Sequence, residues 1–474
     1  MKIFLNNKKL IVVSLTIKII TYFIFNDILF HNATMVREYC KATVYADNSG
    51  GGVLGIDKEF QVKASLYNIL TKKNNEFYFL EQTITTDKKI TKSEITDTPG
   101  FVFLLGMLWK VFGLKSFLYI QILQILIDLL ATLAIYKITL VLFKEKKIAL
   151  FSAIAYSLFV PFAILSVIPC RDYYAAWGII FSTYFFTKFI DKRNIIYFVF
   201  SGVVIAGFSW FRSSIFPFPF MFFIYFVYMY QYKLRVNIMS FFAFFLPLFF
   251  IFILPFSMQY NNKYGSYNFT LGFSGHHLWV GMGDFPNNYN LVCNDSAALA
   301  RAYQLGYPEG TDPYKPEYGN LLKQEAMSII KQDPMFYIGT VLKRYVRYFF
   351  TLPILGVTEK TQIYFRDFEG GYLEFLRCHP IVFFENVIKK ILAFSIPILA
   401  ILSFFIFKQY RKELFLLVAI WQFKILLHVY AHLEDRYVLE AYFPLIIIVG
   451  LYAASYRQIL LFLKQKLFKV SDSK

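Results

Sequence analysis

Runs of about 20 consecutive apolar residues recur along the chain, and a helix of that length matches the roughly 30 Å hydrocarbon core of a bilayer. About ten such runs are present, at 10–30, 117–143, 148–168, 173–190, 195–210, 214–230, 236–257, 386–407, 414–430 and 437–456. A backbone in lipid must satisfy its own hydrogen bonds, so each run reads as a helix and the expected fold class is an all-α polytopic membrane protein. The 57% hydrophobic content lies well above that of a soluble domain and agrees with this. The net charge of +18 then has to be placed. A nucleic-acid binder gathers its cations on one folded face. Here they sit in the gaps between apolar runs, so the expected partner is the lipid bilayer and not nucleic acid.

Two further apolar stretches decide the topology, because counting either as a span reverses everything after it. PGFVFLLGMLWKVFG at 99–113 is too short to cross. The stretch 337–357 carries Lys343, Arg344 and Arg347 in its middle, and a cation at mid-bilayer costs about 2.5 to 3.5 kcal/mol on the insertion scale. Both are therefore expected to lie along the interface, apolar face in lipid and basic face among headgroups. The positive-inside rule agrees. With an inside N-terminus, the cytosolic segments are those at Lys2, Lys8 and Lys9, Lys144 to Lys147, Lys192 and Arg193, Lys233 and Arg235, Lys408 to Lys412, and the tail from Arg457; each is net basic.

What faces out is then two large loops, 31–116 and 258–385, and short turns at 169–172, 211–213 and 431–436. The chain divides into an N-terminal transmembrane module, 1–257, that includes the first loop; an external loop with its interfacial helix, 258–385; and C-terminal helices with a basic cytoplasmic tail, 386–474. The first run reads as an uncleaved signal anchor, since no small-residue cleavage site follows it. Compact loops and a composition heavy in Lys, Ile and Phe favour a bacterial inner (plasma) membrane, with the working loops on the periplasmic or extracellular side. All four cysteines, Cys40, Cys170, Cys293 and Cys378, fall on that side. A Cys293–Cys378 disulfide is the first pairing to expect there, with free thiols as the alternative.

No P-loop, GxGxxG or HExxH motif occurs, which removes an ATP-driven pump and a membrane zinc protease of the usual kind. The informative residues are acids near span ends: Asp57 in GIDKEF, Asp97 in ITDTPGF and Asp172 in IPCRDYY. Asp57 and Asp97 can equally be loop acids or helix caps, and Asp172 can be paired with the adjacent Arg171. The turn HLEDRYVLEAYFP carries His432, Glu434, Asp435, Arg436 and Tyr437, more functional groups than solubility needs. Arg212 and the segment GHHLWVGMGD, with His276 and His277, add a cation, imidazoles and flexible backbone on the same side. Adjacent histidines point in different directions on any regular element, so this pair is a weak metal signal. No metal ligands are assigned and no cofactor is required; a divalent ion is compatible with the chemistry but not demanded by it. Acids, an arginine and interfacial helices on one membrane face suit a reaction between a lipid-phosphate-linked sugar and an acceptor. The tail stays in the bilayer, the phosphate needs cations, and the attacking hydroxyl or amine needs a carboxylate to take its proton.

The order of these pieces resembles the membrane glycosyltransferases of the GT-C fold, in particular the protein O-mannosyltransferase and lipid A aminoarabinose transferase group. The matching elements are DKEFQVKA from Asp57, PGFVFLLGMLWKVFG, a long span ending in basic residues, and Asp172 in the second external loop. GFSWFRSS with Arg212, GHHLWVGMGDFP, QDPMFYIGTVLKRYVRYF and DRYVLEAYFP follow in the same order. Together they cover nearly the whole chain, although each is loose alone. Phe60 stands where the family has tyrosine, and Asp57 lies far beyond the first span, so Glu38 and Asp47 stay open as the first-loop acid.

The resemblance implies that Asp57 acts as base or orients the acceptor and that Asp172 organises the site and the sugar. Asp97 and Thr98 take the place of the charged pair at the donor phosphate. Arg212, Arg436, Lys343 and Arg344 are the implied cations for the polyprenyl phosphate, and Arg171, His276, His277, Glu434 and Tyr437 complete the substrate-binding set. The implied reaction moves a sugar from a polyprenyl-phosphate-linked donor to a glycolipid, glycan or protein with inversion, without a covalent enzyme intermediate or a nucleotide sugar. The main alternative is a multi-span transporter or flippase of a lipid-linked or small polar substrate, which needs ionisable groups near the midplane; Lys18 and Asp128 are the few candidates. A polymerase or ligase of lipid-linked glycans would gather arginines in one loop, and a purely structural membrane protein leaves the loop-end acids without a purpose.

Overall fold

The computed structural model describes residues 8–29, 52–53, 89–90, 100–112, 118–168, 171–230, 234–267, 274–309, 315–352, 371–378, 380–457 and 459. Asp57, Asp97, Thr98, Cys40 and Cys170 lie outside these residues. The described chain is helical apart from one short antiparallel pair, β1 (Gly52–Val53) with β2 (Lys89–Ile90). The helices in order are α1 (Lys8–Leu29), α2 (Gly100–Phe112), α3 (Leu118–Phe143), α4 (Lys146–Leu158), α5 (Val160–Leu165), α6 (Asp172–Lys192), α7 (Ile195–Ser209) and α8 (Phe218–Tyr230). Then come α9 (Leu234–Leu248), continued through a π-turn (Phe249–Ile253) into α10 (Leu254–Tyr264), and the loop helices α11 (Ser274–Met282), α12 (Asp295–Gln304), α13 (Pro316–Gln332) and α14 (Pro334–Phe349). Last are α15 (Gly371–Cys378), α16 (Pro380–Ile406), α17 (Arg411–Val429), α18 (Asp435–Leu439) and α19 (Phe443–Ala454).

Three of these helical stretches are both long and apolar enough to cross a bilayer, Leu118–Phe143, Ile238–Asn262 and Val387–Ile406, and four more are apolar but shorter. The expected count of about ten spans is thus not established by length and composition, and two of the expected runs are visibly broken. The run 148–168 is interrupted at Phe159, whose backbone is extended just before α5; Pro161, in the first turn of α5, has no N–H to offer the Ser157 carbonyl, so an unbroken helix would lose that bond and meet the proline ring there. The run 437–456 is split at 440–442 into α18 and α19. That break turns Glu440 into the core, where it is 1% exposed.

One large core joins α2 through α9 to α14, α16, α17 and α19, with aromatic rings filling much of it; Phe189 and Phe198, for instance, stack at 4.7 Å. A stripe of small residues lets α19 press on α4: Gly450 sits so close to the Ser152 backbone that any side chain would collide with it. A second, smaller core sits in the 258–385 region, where Trp279, Tyr318, Leu322 and Ala326 join α11, α12 and α13.

Lys18 of α1 and Asp128 of α3 form an ion pair at 2.7 Å with both side chains fully buried. Asp128 Oδ1 also accepts from Tyr156 Oη at 2.8 Å, from Trp177 Nε1 at 3.1 Å and from Tyr173 Oη. A buried carboxylate is tolerated only when saturated in this way. The cluster ties α1, α3, α4 and α6 together.

Candidate active site

Two turns expected on the outer side from the sequence, and a break inside the run 437–456, itself expected to span, come together at one end of the helix bundle. The first is the start of α6, where Asp172 occupies the first turn, a position the helix dipole favours for an acid. The second follows α7, where Tyr174 stacks on Phe211 at 4.3 Å and Gly100 N–H donates to the Trp210 carbonyl at 2.9 Å, fixing the turn that presents Arg212. The third is the break between α18 and α19, which carries Glu440.

At their meeting point Arg212 pairs with Asp172 through Nη1 and with Glu440 through Nε at 2.7 Å. The face of its guanidinium lies 4.1 Å from the Tyr437 ring centroid. Glu440 pairs in turn with Lys424 of α17 at 2.5 Å, and Ser214 Oγ bridges the two, 3.2 Å from Glu440 and 2.9 Å from Lys424. Tyr437 donates to Glu434 at 3.1 Å. The result is a mostly buried chain of alternating charge, Asp172, Arg212, Glu440, Lys424. Such an arrangement holds two cations in fixed positions at low solvent exposure, where an anion gains far more from them than in water.

Beside it lies a second cluster. Arg344, fully buried on α14, donates from Nε to Asp284 at 2.5 Å and from its two terminal nitrogens to the carbonyls of Val429 and Gly281. His432 Nδ1 is 3.6 Å from the other Asp284 oxygen and 3.9 Å from Cys293 Sγ, while Nε2 faces Glu434 at 3.7 Å. Burial works against a charged His432, but hydrogen bonding to Asp284, Cys293 and Glu434 outweighs it and pushes the imidazole up to about 12. Burial likewise acts to raise the Asp284 carboxyl, and His432 with Arg344 outweighs that and holds it below its usual range. His277 stacks on His432 at 6.1 Å; burial first, then the neighbouring imidazoles of His276 and His432, pull it down to about 3, so it is neutral at physiological pH. Gly281 is held against the Ala431 carbonyl with no room for a side chain, so α11 docks directly on the 431–434 turn.

The structure therefore brings Asp172, Arg212, Glu434 and Tyr437 into one place, and His277 next to them. Arg171 stands half-exposed at the head of α6. His276 belongs elsewhere: it bonds Tyr318 at 2.7 Å and Asp295 at 2.9 Å, inside the small loop core. Lys343 is exposed, 5.9 Å from the Phe285 ring centroid. The expectation that Arg344 offers a basic face to headgroups is corrected, because its guanidinium is turned inward and saturated by Asp284 and two carbonyls. The expected Cys293–Cys378 disulfide is corrected as well. Both thiols are free and exposed, and Cys293 faces His432. The Arg436 side chain is not among those described. Sequence reasoning passed over Glu440 and Lys424, although a lone charge inside an apolar run was the available signal for each.

Residues 96–258 match a family model described as dolichyl-phosphate-mannose-protein mannosyltransferase. The matched stretch contains Asp97, Thr98, Arg171, Asp172 and Arg212, so the resemblance to GT-C membrane glycosyltransferases rests on the part of the chain that carries the first two turns of the site. No curated protein matches. Among solved structures, the chain is similar to the archaeal oligosaccharyltransferase AglB from Archaeoglobus fulgidus, in complex with an inhibitory peptide and a dolichol-phosphate. The TM-score is 0.47 and the identity 13%, over 96% of this chain and 52% of that one, so this chain spans about half the length of AglB.

Proposed function

We propose that the protein is an inverting membrane glycosyltransferase that takes its sugar from a polyprenyl-phosphate-linked donor and passes it to a glycolipid, glycan or protein at the outer face. The observation that carries this reading is the Asp172, Arg212, Glu440, Lys424 chain where the start of α6, the turn after α7 and the break between α18 and α19 meet, the first two within the stretch similar to the mannosyltransferase family. As the bond from the anomeric carbon to the phosphate oxygen breaks, negative charge collects on the departing polyprenyl phosphate. Arg212, already oriented by two carboxylates and the Tyr437 ring, is placed to receive that charge, with Lys424 behind it. Asp172 accepts from a sugar hydroxyl or from the acceptor. The proton released by the attacking group goes to the first-loop acid, Asp57 by the sequence pattern, with Glu38 and Asp47 as the other candidates. A single displacement inverts the anomeric centre and leaves no sugar on the protein. The family description matched by residues 96–258 supports a lipid-phosphate donor.

The test is direct. Purified protein in liposomes is expected to move labelled sugar from a short-chain polyprenyl-phosphate donor onto membrane acceptors and to leave a nucleotide sugar untouched. Uptake of a polar substrate into sealed vesicles with no transfer would support the transporter reading and remove this one.

A further inference from the structure

We propose that Asp284, Cys293 and His432 form a binding site for one divalent, thiophilic metal ion such as Zn2+, independent of the sugar-transfer reading. Their ligand atoms, a carboxylate oxygen, a thiol sulfur and an imidazole nitrogen, all lie within 4.8 Å of one another. Zinc bonds of about 2.3 Å to sulfur and about 2.0 to 2.1 Å to nitrogen, at tetrahedral angles, put such atoms roughly 3.5 Å apart. The sulfur-to-nitrogen distance of 3.9 Å and the nitrogen-to-oxygen distance of 3.6 Å need only a few tenths of an ångström of closure.

The groups behind these atoms are arranged as a metal site requires. His432 points Nδ1 at the cluster while Nε2 faces the Glu434 carboxylate, the carboxylate–histidine arrangement that fixes the ring and raises its basicity toward a metal. Asp284 gives one oxygen to Arg344 and keeps the other toward His432. Arg344, itself locked by two carbonyls, thus aims the carboxylate. The ion together with the Arg344 guanidinium balances Asp284, Glu434 and a Cys293 thiolate. The three ligands come from the loop after α11 and from the turn after α17, so a bound ion staples the external loop to the last outer turn. With three protein ligands, a fourth position stays open to water or a substrate oxygen.

Full-length protein in detergent, stripped with chelator and titrated with Co2+, is expected to bind one ion per chain. A near-ultraviolet thiolate-to-cobalt absorption should appear, and Zn2+ should remove it by displacement. Cys293→Ser abolishes that absorption, and Cys378→Ser keeps it. Glu434→Gln, which leaves all three ligand atoms in place, weakens the affinity by about 10- to 100-fold. Added Zn2+ also slows maleimide modification at the Cys293 peptide, read by mass spectrometry. A wild-type protein without stoichiometric ion, an absorption that survives Cys293→Ser, or Cys293 modification indifferent to Zn2+ overturns the proposal. None of these readouts involves sugar transfer, so failure here and failure of the transferase reading are told apart.

Discussion

Arg212→Ala is expected to lower sugar transfer by about 100- to 1000-fold, the usual cost of removing one charge-stabilising group from a preorganised site. The same substitution is expected to destabilise the protein. Asp172 loses its ion pair with Arg212, and removing one partner from a buried ion pair costs about 3 to 5 kcal/mol; Arg212 is only 14% exposed. Glu440 fares better because Lys424 still holds it at 2.5 Å. Arg212→Lys separates the two effects. One ammonium can face Asp172 or Glu440 but lacks the fork that reaches both, so stability recovers in part while the rate stays low. Transfer assays and thermal unfolding of the same preparations check this, and a fully active Arg212→Lys protein would show that the bidentate geometry is not used.

Lys18→Met is expected to cost about 3 to 5 kcal/mol, because it leaves the buried Asp128 carboxylate with no other counter-ion among the described residues. The donors Tyr156, Tyr173 and Trp177 remain but do not neutralise it. The double variant Lys18→Met with Asp128→Asn is expected to recover most of the loss, since it removes both charges and keeps an acceptor for Tyr156, Tyr173 and Trp177. Unfolding midpoints in detergent measure both. Equal loss in single and double variants would mean that the ion pair stabilises the four-helix junction beyond mere charge matching.

Much of the helical architecture was legible because the bilayer imposes a single length and polarity on each span, and α1, α3, α6, α7, α16 and α17 begin and end close to the apolar runs. The breaks were not. Pro161 signalled one, but the split at 440–442 falls in YVLEAYFP, where Glu440 reads as one acid in a helix until tertiary packing turns it onto Arg212 and Lys424. In the site, Asp172 and Arg212 were visible as charges at the ends of apolar runs, whereas their partnership was not. The adjacent Arg171 offered Asp172 a local partner, and nothing in the sequence marks the pair it makes with Arg212, forty residues away. Arg344 illustrates the opposite error. The three cations of 337–357 read together as one basic face, but the side of α14 that carries Arg344 packs against Gly281, Asp284 and Val429, and there its guanidinium is held.

The most direct test is transfer by Asp172→Asn, which removes one charge and no volume. In liposomes with a labelled polyprenyl-phosphate donor, the variant is expected to fold and insert like the parent while transferring sugar at least about 100-fold more slowly. Parental transfer rates from a folded Asp172→Asn protein would contradict the assignment of these turns as the active site.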